Sequence, residues 1–152
     1  MKTVIIIVLA LLSPKIVSAQ KGPKISDLIT AAATTYKLER RLLSCLYFVE
    51  STYRLNVVST THDYGIGQIN RSTAAGFKMD IPRLTADLAY SIDRSAFVLS
   101  HYQQLKRAEE PATWVCRYNV GPGPLTKKGR GGACAAYLQR IGRCTGTLLT
   151  VL

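Results

Sequence analysis

A single carboxyl group, Glu50, closes the otherwise apolar stretch Leu46-Tyr47-Phe48-Val49. An ionised carboxylate beside a core is costly unless it is paired or protonated, so burial there raises its pKa. A place in the last turn of a helix acts in the same direction, because the negative end of the macrodipole disfavours a second negative charge by roughly 0.3–1 kcal/mol. A carboxylic acid that keeps its proton near neutral pH is what glycosidic cleavage requires. Most glutamates are solvated or ion-paired, and Arg54 is a ready partner here, so the weight of the reading falls on the neighbours. These are Ser51, Tyr53, Val57 and Ser59, then Gly65-Ile66-Gly67-Gln68-Ile69.

Apolar spacing and start and stop residues define the elements that must position this segment. The first predicted helix opens at Ser26, a good N-cap, and reaches about Tyr36. The second runs from about Glu39 to Ser51 and is apolar around much of its circumference, the mark of a buried helix. A polar stretch from Ser51 to Asp63 reads as loop, and Tyr64 to Asn70, with two glycines, suits a tight turn or a short extended piece. Further helices are predicted over about Asp87 to Lys106, from Pro111 at a first-turn position to Asn119, and over about Ala133 to Gly142. Gly121-Pro122-Gly123 stops the fourth. The expectation is a mostly helical domain with a weakly extended region around residues 55 to 70.

Residues 1–19 read as an export signal: Lys2, an apolar run from Val4 to Leu12, and Val17-Ser18-Ala19 before a cleavage point. Residues 20–152 then suit one domain with one core. The net charge is +11 over the whole chain, and only Lys2 and Lys15 fall in the leader, so the partner is expected to be anionic. Lys127-Lys128-Gly129-Arg130 is the densest basic cluster and reads as a solvated loop; no nucleic-acid partner is expected. Four cysteines behind an export signal favour two disulfides. Of the three possible pairings, Cys45–Cys116 with Cys134–Cys144 is favoured, the second because a short local loop is easily closed. Without a C-x-x-C pair, and with His62 and His101 far from any cysteine in sequence, neither metal nor cofactor is expected. Trp114 reads as core.

The chemistry-bearing segment resembles the lysozyme-like lytic transglycosylases of the soluble lytic transglycosylase (SLT) type. Their pattern joins E-S-x-aromatic, a small or aliphatic residue and a Ser to G-L-M-Q, whose Gly follows the Glu by fifteen positions, as Gly65 follows Glu50 here. Asp87 to Leu99 resembles the family's D-P-x-x-N-I-x-x-G-A-x-Y-L helix, and Arg117 to Gly123 its A-Y-N-A-G-P-G block, so the match covers about residues 39–123. Gly67 stands where the family has Met, an exchange expected to widen or loosen the floor of the cleft. Leu88, Ser91 and Ser95 replace Pro, Asn and Gly, which bears on local helix packing. The stretch Asp63 to Asn70 also resembles the D-Y-G-I-x-Q-I-N of animal-type lysozymes, whose Asp is a second catalytic carboxylate, although the separation from Glu50 is shorter than theirs.

The resemblance implies a mainly α, lysozyme-like single domain with a minor β part and a substrate cleft. It implies peptidoglycan glycan strands as substrate, with Glu50 as acid and then base. Ser51 and Gln68 would hold the N-acetyl and peptide-bearing groups, Gly65 would permit a backbone shape or close approach of glycan, Tyr118 would sit close to Glu50 and hydrogen-bond or shield it, and Asn119 would join it in binding substrate. Two other readings are a hydrolytic muramidase using Glu50 with Asp63, and a non-catalytic peptidoglycan-binding scaffold. The small size is similar to the specialised members that serve conjugation, secretion or pilus complexes. A monomer in the bacterial periplasm or outside the cell is expected.

Overall fold

The computed structural model describes residues 22–105, 111–122, 130–147 and 149. The expected leader, Gly123, residues 127–129 of the basic cluster and most of the apolar tail lie outside the described residues. Helix α1 spans Ile25–Tyr36 and turns Ile29, Ala32 and Ala33 inward. Lys24, not Ser26, is its N-cap, with no side-chain bond to the helix. Lys37 adopts a left-handed conformation, and the Leu38 N–H donates back to the Ala33 carbonyl at 2.9 Å while its side chain enters the core. That C-terminal closure turns the chain directly into the next helix.

Helix α2, Arg40–Ser51, is the buried centre that the sequence predicts. Leu43, Leu46 and Tyr47 are fully enclosed, and the Tyr47 hydroxyl donates to the Ile92 carbonyl at 2.7 Å, fixing α2 against a later helix. Thr52 ends α2 in the left-handed region, which leaves Glu50 in its final turn. A hairpin follows: β1, Asp63–Tyr64, pairs antiparallel with β2, Ile69–Asn70, with Asp63 opposite Asn70 and Tyr64 opposite Ile69. This is the extended region expected around residues 55 to 70, and Val58 adds one bridge to Tyr64.

Two short helices were not foreseen, α3 over Arg71–Gly76 and α4 over Ile81–Ala86. Both start on a side-chain cap, Asn70 accepting from Ser72 N–H and Asp80 from Arg83 N–H, and the second has Pro82 in its first turn. Helix α5, Leu88–Leu105, packs against α1, α4 and α6, the last spanning Pro111–Val120. Helix α7, Arg130–Thr145, packs on α6 and α2, and it extends beyond the predicted Ala133 to Gly142 at both ends. Trp114 belongs to the core.

The disulfides are Cys45–Cys144 and Cys116–Cys134, with Cα separations of 5.6 and 5.2 Å. The expected Cys45–Cys116 and Cys134–Cys144 pairs are therefore wrong, and the reason is geometric. Cys134 and Cys144 lie in one continuous helix, where ten residues rise about 15 Å, more than twice the reach of a disulfide. The presumed short loop is a rigid rod. Its cysteines instead staple α7 to α6 at one point and to α2 at the other.

Candidate active site

Glu50 opens into a cleft of about 150 Å³ lined by Glu50, Asp63, Gln68, Asn70, Thr73 and Tyr118, with Ile69, Val98 and Asn119 completing it. The last turn of α2 supplies the acid, the hairpin supplies the opposing wall, and the end of α6 supplies Tyr118 and Asn119. Burial pushes the Glu50 pKa up to about 7. The Tyr137 hydroxyl, which donates to Glu50 Oε1 at 2.6 Å, and the charge of Arg140 act against that rise, while Asp63 adds to it. Glu50 can therefore hold and release a proton near neutral pH.

Asp63 is held in the opposite state. Partial burial pushes its pKa up, but hydrogen bonds from Thr61, Asn70 and Ser59 outweigh that, with His62 adding to them, and its carboxyl stays below the ordinary value. Ser59 Oγ reaches Asp63 Oδ2 at 2.7 Å, and Asn70 Nδ2 reaches Oδ1 at 2.7 Å. One cleft thus holds a protonatable carboxyl and an ionised one, the arrangement that separates acid from charge-stabilising roles.

Of the residues singled out from sequence, Glu50, Asp63, Gln68, Tyr118 and Asn119 meet in this cleft. Ser51 and Gly65 do not line it. Ser51 is 3 % exposed and its hydroxyl donates to the Ile66 carbonyl at 2.8 Å, so it clasps the loop behind the cleft rather than a sugar. It points away because residues adjacent on a helix lie about 100° apart. Gly65 is buried too; a side chain there would meet the Leu84 carbonyl and the Ser91 hydroxyl, not glycan. Gln68 faces the cleft, yet its amide nitrogen donates to the Gly65 carbonyl at 2.8 Å.

Gly67 does not leave the floor loose. A Cβ on it would lie 2.1 Å from Ser95 Oγ and 2.7 Å from the Tyr118 hydroxyl, and that hydroxyl donates to the Gly67 carbonyl at 2.7 Å. Where the resembled pattern has Met in the loop and Gly in the helix, this chain has Gly67 and Ser95, so the bulk has moved from one side of a contact to the other. Ser91, another buried serine of α5, accepts from the Ile66 N–H at 3.2 Å and pins the same loop. Both exchanges preserve the packing that they put in question.

Tyr137 is the residue that sequence reasoning missed. It lies on the apolar stripe of α7 with Cys134, Leu138 and Ile141, where an aromatic ring reads as core; a polar tip on such a stripe was the one available signal. Tyr118, expected to hydrogen-bond or shield Glu50, lines the cleft with it but donates its hydroxyl to the Gly67 carbonyl. Asn70 and Thr73 were also not anticipated in the cleft.

A mainly α domain in which a buried helix delivers a raised-pKa carboxyl into a cleft, across from a short β-hairpin that carries an ionised one, is lysozyme-like. Within that class the chain matches the family model described as Transglycosylase SLT domain over residues 27–137, and it belongs to that family, whose transglycosylases act on peptidoglycan. The match extends on both sides of the region that the motifs cover, and it ends on Tyr137. A search of the curated proteins found no match.

Proposed function

We propose that the domain is a lytic transglycosylase that cuts the β-1,4 bond between N-acetylmuramic acid and N-acetylglucosamine and leaves 1,6-anhydro ends. The observation that carries this reading is the Glu50 carboxyl, facing a cleft, held by Tyr137 and poised to titrate at about 7. Protonated Glu50 gives its proton to the bridging oxygen as the bond from that oxygen to C1 breaks. The substrate's own N-acetyl oxygen closes on C1 and holds the positive charge. Ionised Glu50 then takes the proton of the C6 hydroxyl, O6 attacks C1, the N-acetyl oxygen departs, and Glu50 is again protonated. Tyr137 is a positioning residue in this scheme, and Tyr118 shapes the floor through Gly67.

A second reading has one observation in its favour, the ionised Asp63 in the same cleft. As a muramidase, the domain would use Asp63 to stabilise charge at C1 while water attacks. Mass analysis of digested sacculi decides between the two: an anhydro end is one water lighter than a reducing end. We expect anhydro ends from the wild type and from Asp63→Asn, with the variant slowed less than about tenfold. Reducing ends, or a hundredfold loss with Asp63→Asn, would establish the muramidase instead.

The wild-type rate should fall as pH rises through about 7, because the proton donor is then lost. Tyr137→Phe removes a bond that favours the ionised form, so the falling limb moves to higher pH; a profile of kcat/KM against pH measures it. A variant with an unmoved limb would mean that Tyr137 does not set the acid. Two disulfides suit an oxidising compartment, and with the apolar start of the chain they support export to the bacterial envelope. There a domain of this size would open local gaps for a conjugation, secretion or pilus complex.

A further inference from the structure

The cysteines lie on the helices that carry Glu50, Tyr118 and Tyr137. Cys45 stands on α2 before Glu50, Cys116 on α6 before Tyr118, and Cys134 and Cys144 on α7 to either side of Tyr137. The two bridges differ in what can reach them. Cys116 and Cys134 are both fully enclosed, whereas Cys45–Cys144 joins a buried sulfur to a residue that is only half-buried, in the last turn of α7. A disulfide with an accessible end is the one that thiol exchange opens, while an enclosed one is inert.

The accessible bridge and the catalytic acid share one seam. Helices α2 and α7 run antiparallel there, joined at one place by Cys45–Cys144 and at the other by the hydrogen bond from the Tyr137 hydroxyl to Glu50 Oε1 at 2.6 Å. Opening the first tie leaves α7 bridged to α6 through Cys134, and its enclosed side chains, Leu138 and Ile141, still hold it to the body. What is lost is the clamp across the seam, so water reaches a carboxyl that burial otherwise keeps protonated. The groups that act on Glu50 are Tyr137 and Arg140 from α7, Asp63 from β1 and Tyr118 from α6. Loosening α7 weakens the pull of Tyr137 and Arg140 toward the charged form, but burial is the larger influence. Hydration therefore returns the Glu50 pKa from about 7 toward its ordinary 4.5.

We propose that the Cys45–Cys144 bridge is a redox switch that acts through Glu50: lytic activity is high while the bridge is closed and low once a dithiol reductant opens it. The inference rests on the transglycosylase reading above. A thiolate of the reductant attacks Cys144 Sγ, and Cys45 Sγ leaves and takes up a proton. The second thiol of the reductant attacks the mixed disulfide, Cys144 leaves and is protonated in turn, and the reductant departs as a disulfide, so that two electrons and two protons pass to the chain. The test treats the folded protein with dithiothreitol and locates the freed thiols by alkylation and mass analysis. They should appear on Cys45 and Cys144 alone, with far-ultraviolet circular dichroism unchanged. On purified glycan strands kcat/KM at pH 7 should fall about tenfold, the falling limb of its pH profile should move to lower pH, and reoxidation should restore both. Cys45→Ala/Cys144→Ala should match the reduced protein and ignore the reductant. A bridge that resists the reductant, or opens at an unchanged rate of cleavage, overturns the proposal. So do a slower rate with an unmoved limb, since Glu50 is then not what the bridge controls, and release of all the cysteines with loss of helix, since the bridges then only hold the fold. Oxidised protein that cleaves no glycan sinks the transglycosylase reading; the switch is then decided by a carboxyl-carbon NMR titration of Glu50, which must move to lower pH on reduction.

Discussion

Replacing Glu50 with Gln is expected to lower lytic activity at least a thousandfold while making the fold more stable above neutral pH. The loss follows from a single group acting twice, as acid and then as base, where each such role contributes about 10²–10⁴ in rate. The gain follows from linkage. Glu50 has a folded-state pKa of about 7 against an ordinary 4.5, so the native state holds its proton more tightly than the unfolded chain does. The advantage of protonation is complete below the ordinary value and is lost as pH rises through about 7. Above that, the wild type carries a buried charge that Gln does not, a difference of roughly 1–3 kcal/mol once partial solvation is allowed for. The shape of the side chain is unchanged, and the Tyr137 hydroxyl still finds an oxygen to donate to. Sacculus clearing and urea unfolding at pH 8 and pH 4 measure both effects. Undiminished clearing would leave neither enzymatic reading standing, and a variant no more stable at pH 8 than at pH 4, relative to wild type, would show that the carboxyl is solvated.

How much of this was legible in the chain depends on what each feature rests upon. Helix α2 was legible because its signal is local: apolar residues at helical spacing, then a carboxyl where the apolar run stops. The cleft walls were legible only through resemblance, since nothing in the spacing of Asp63, Gln68 and Tyr118 alone says that a hairpin and two helix ends converge. Ser51 was assigned to substrate on its motif, yet its direction is set by helix phase relative to Glu50, which turns it into the loop. The disulfides failed for a related reason. A short sequence separation implies an easily closed loop only where the chain between is flexible, whereas here it is helix and the partners of Cys144 and Cys134 are on α2 and α6. Tyr137 was invisible because its ring satisfies the core pattern and only its hydroxyl, 87 positions away in sequence from its partner, does chemistry. The short helices α3 and α4 carried their signal in caps, Asn70 and Asp80, which are weak evidence without an apolar stripe behind them.

Gly65→Ala is expected to cost roughly 3–5 kcal/mol, enough to unfold a marginally stable domain. Gly65 has φ of 74°, a region that L-residues enter at about 1–2 kcal/mol. The larger share is steric: the new Cβ would lie 2.0 Å from the Leu84 carbonyl oxygen and 2.4 Å from Ser91 Oγ. Neither can yield cheaply. Leu84 is fully buried and its carbonyl belongs to the backbone of α4, while the Ser91 hydroxyl is the acceptor for Ile66 N–H. Moving the loop instead would break the bond from Gly65 N–H to the Val57 carbonyl and the clasp from Ser51 to Ile66. It would also carry off the Gly67 carbonyl on which Tyr118 rests. Gly76→Ala is the matched comparison, because a Cβ there meets nothing within 4 Å and an alanine favours the end of α3. Urea unfolding should show Gly65→Ala well below wild type and Gly76→Ala at or slightly above it. Equal stability of the two would mean that the loop between the strands is free to shift, and the cleft wall opposite Glu50 would then not be the fixed surface that its chemistry needs.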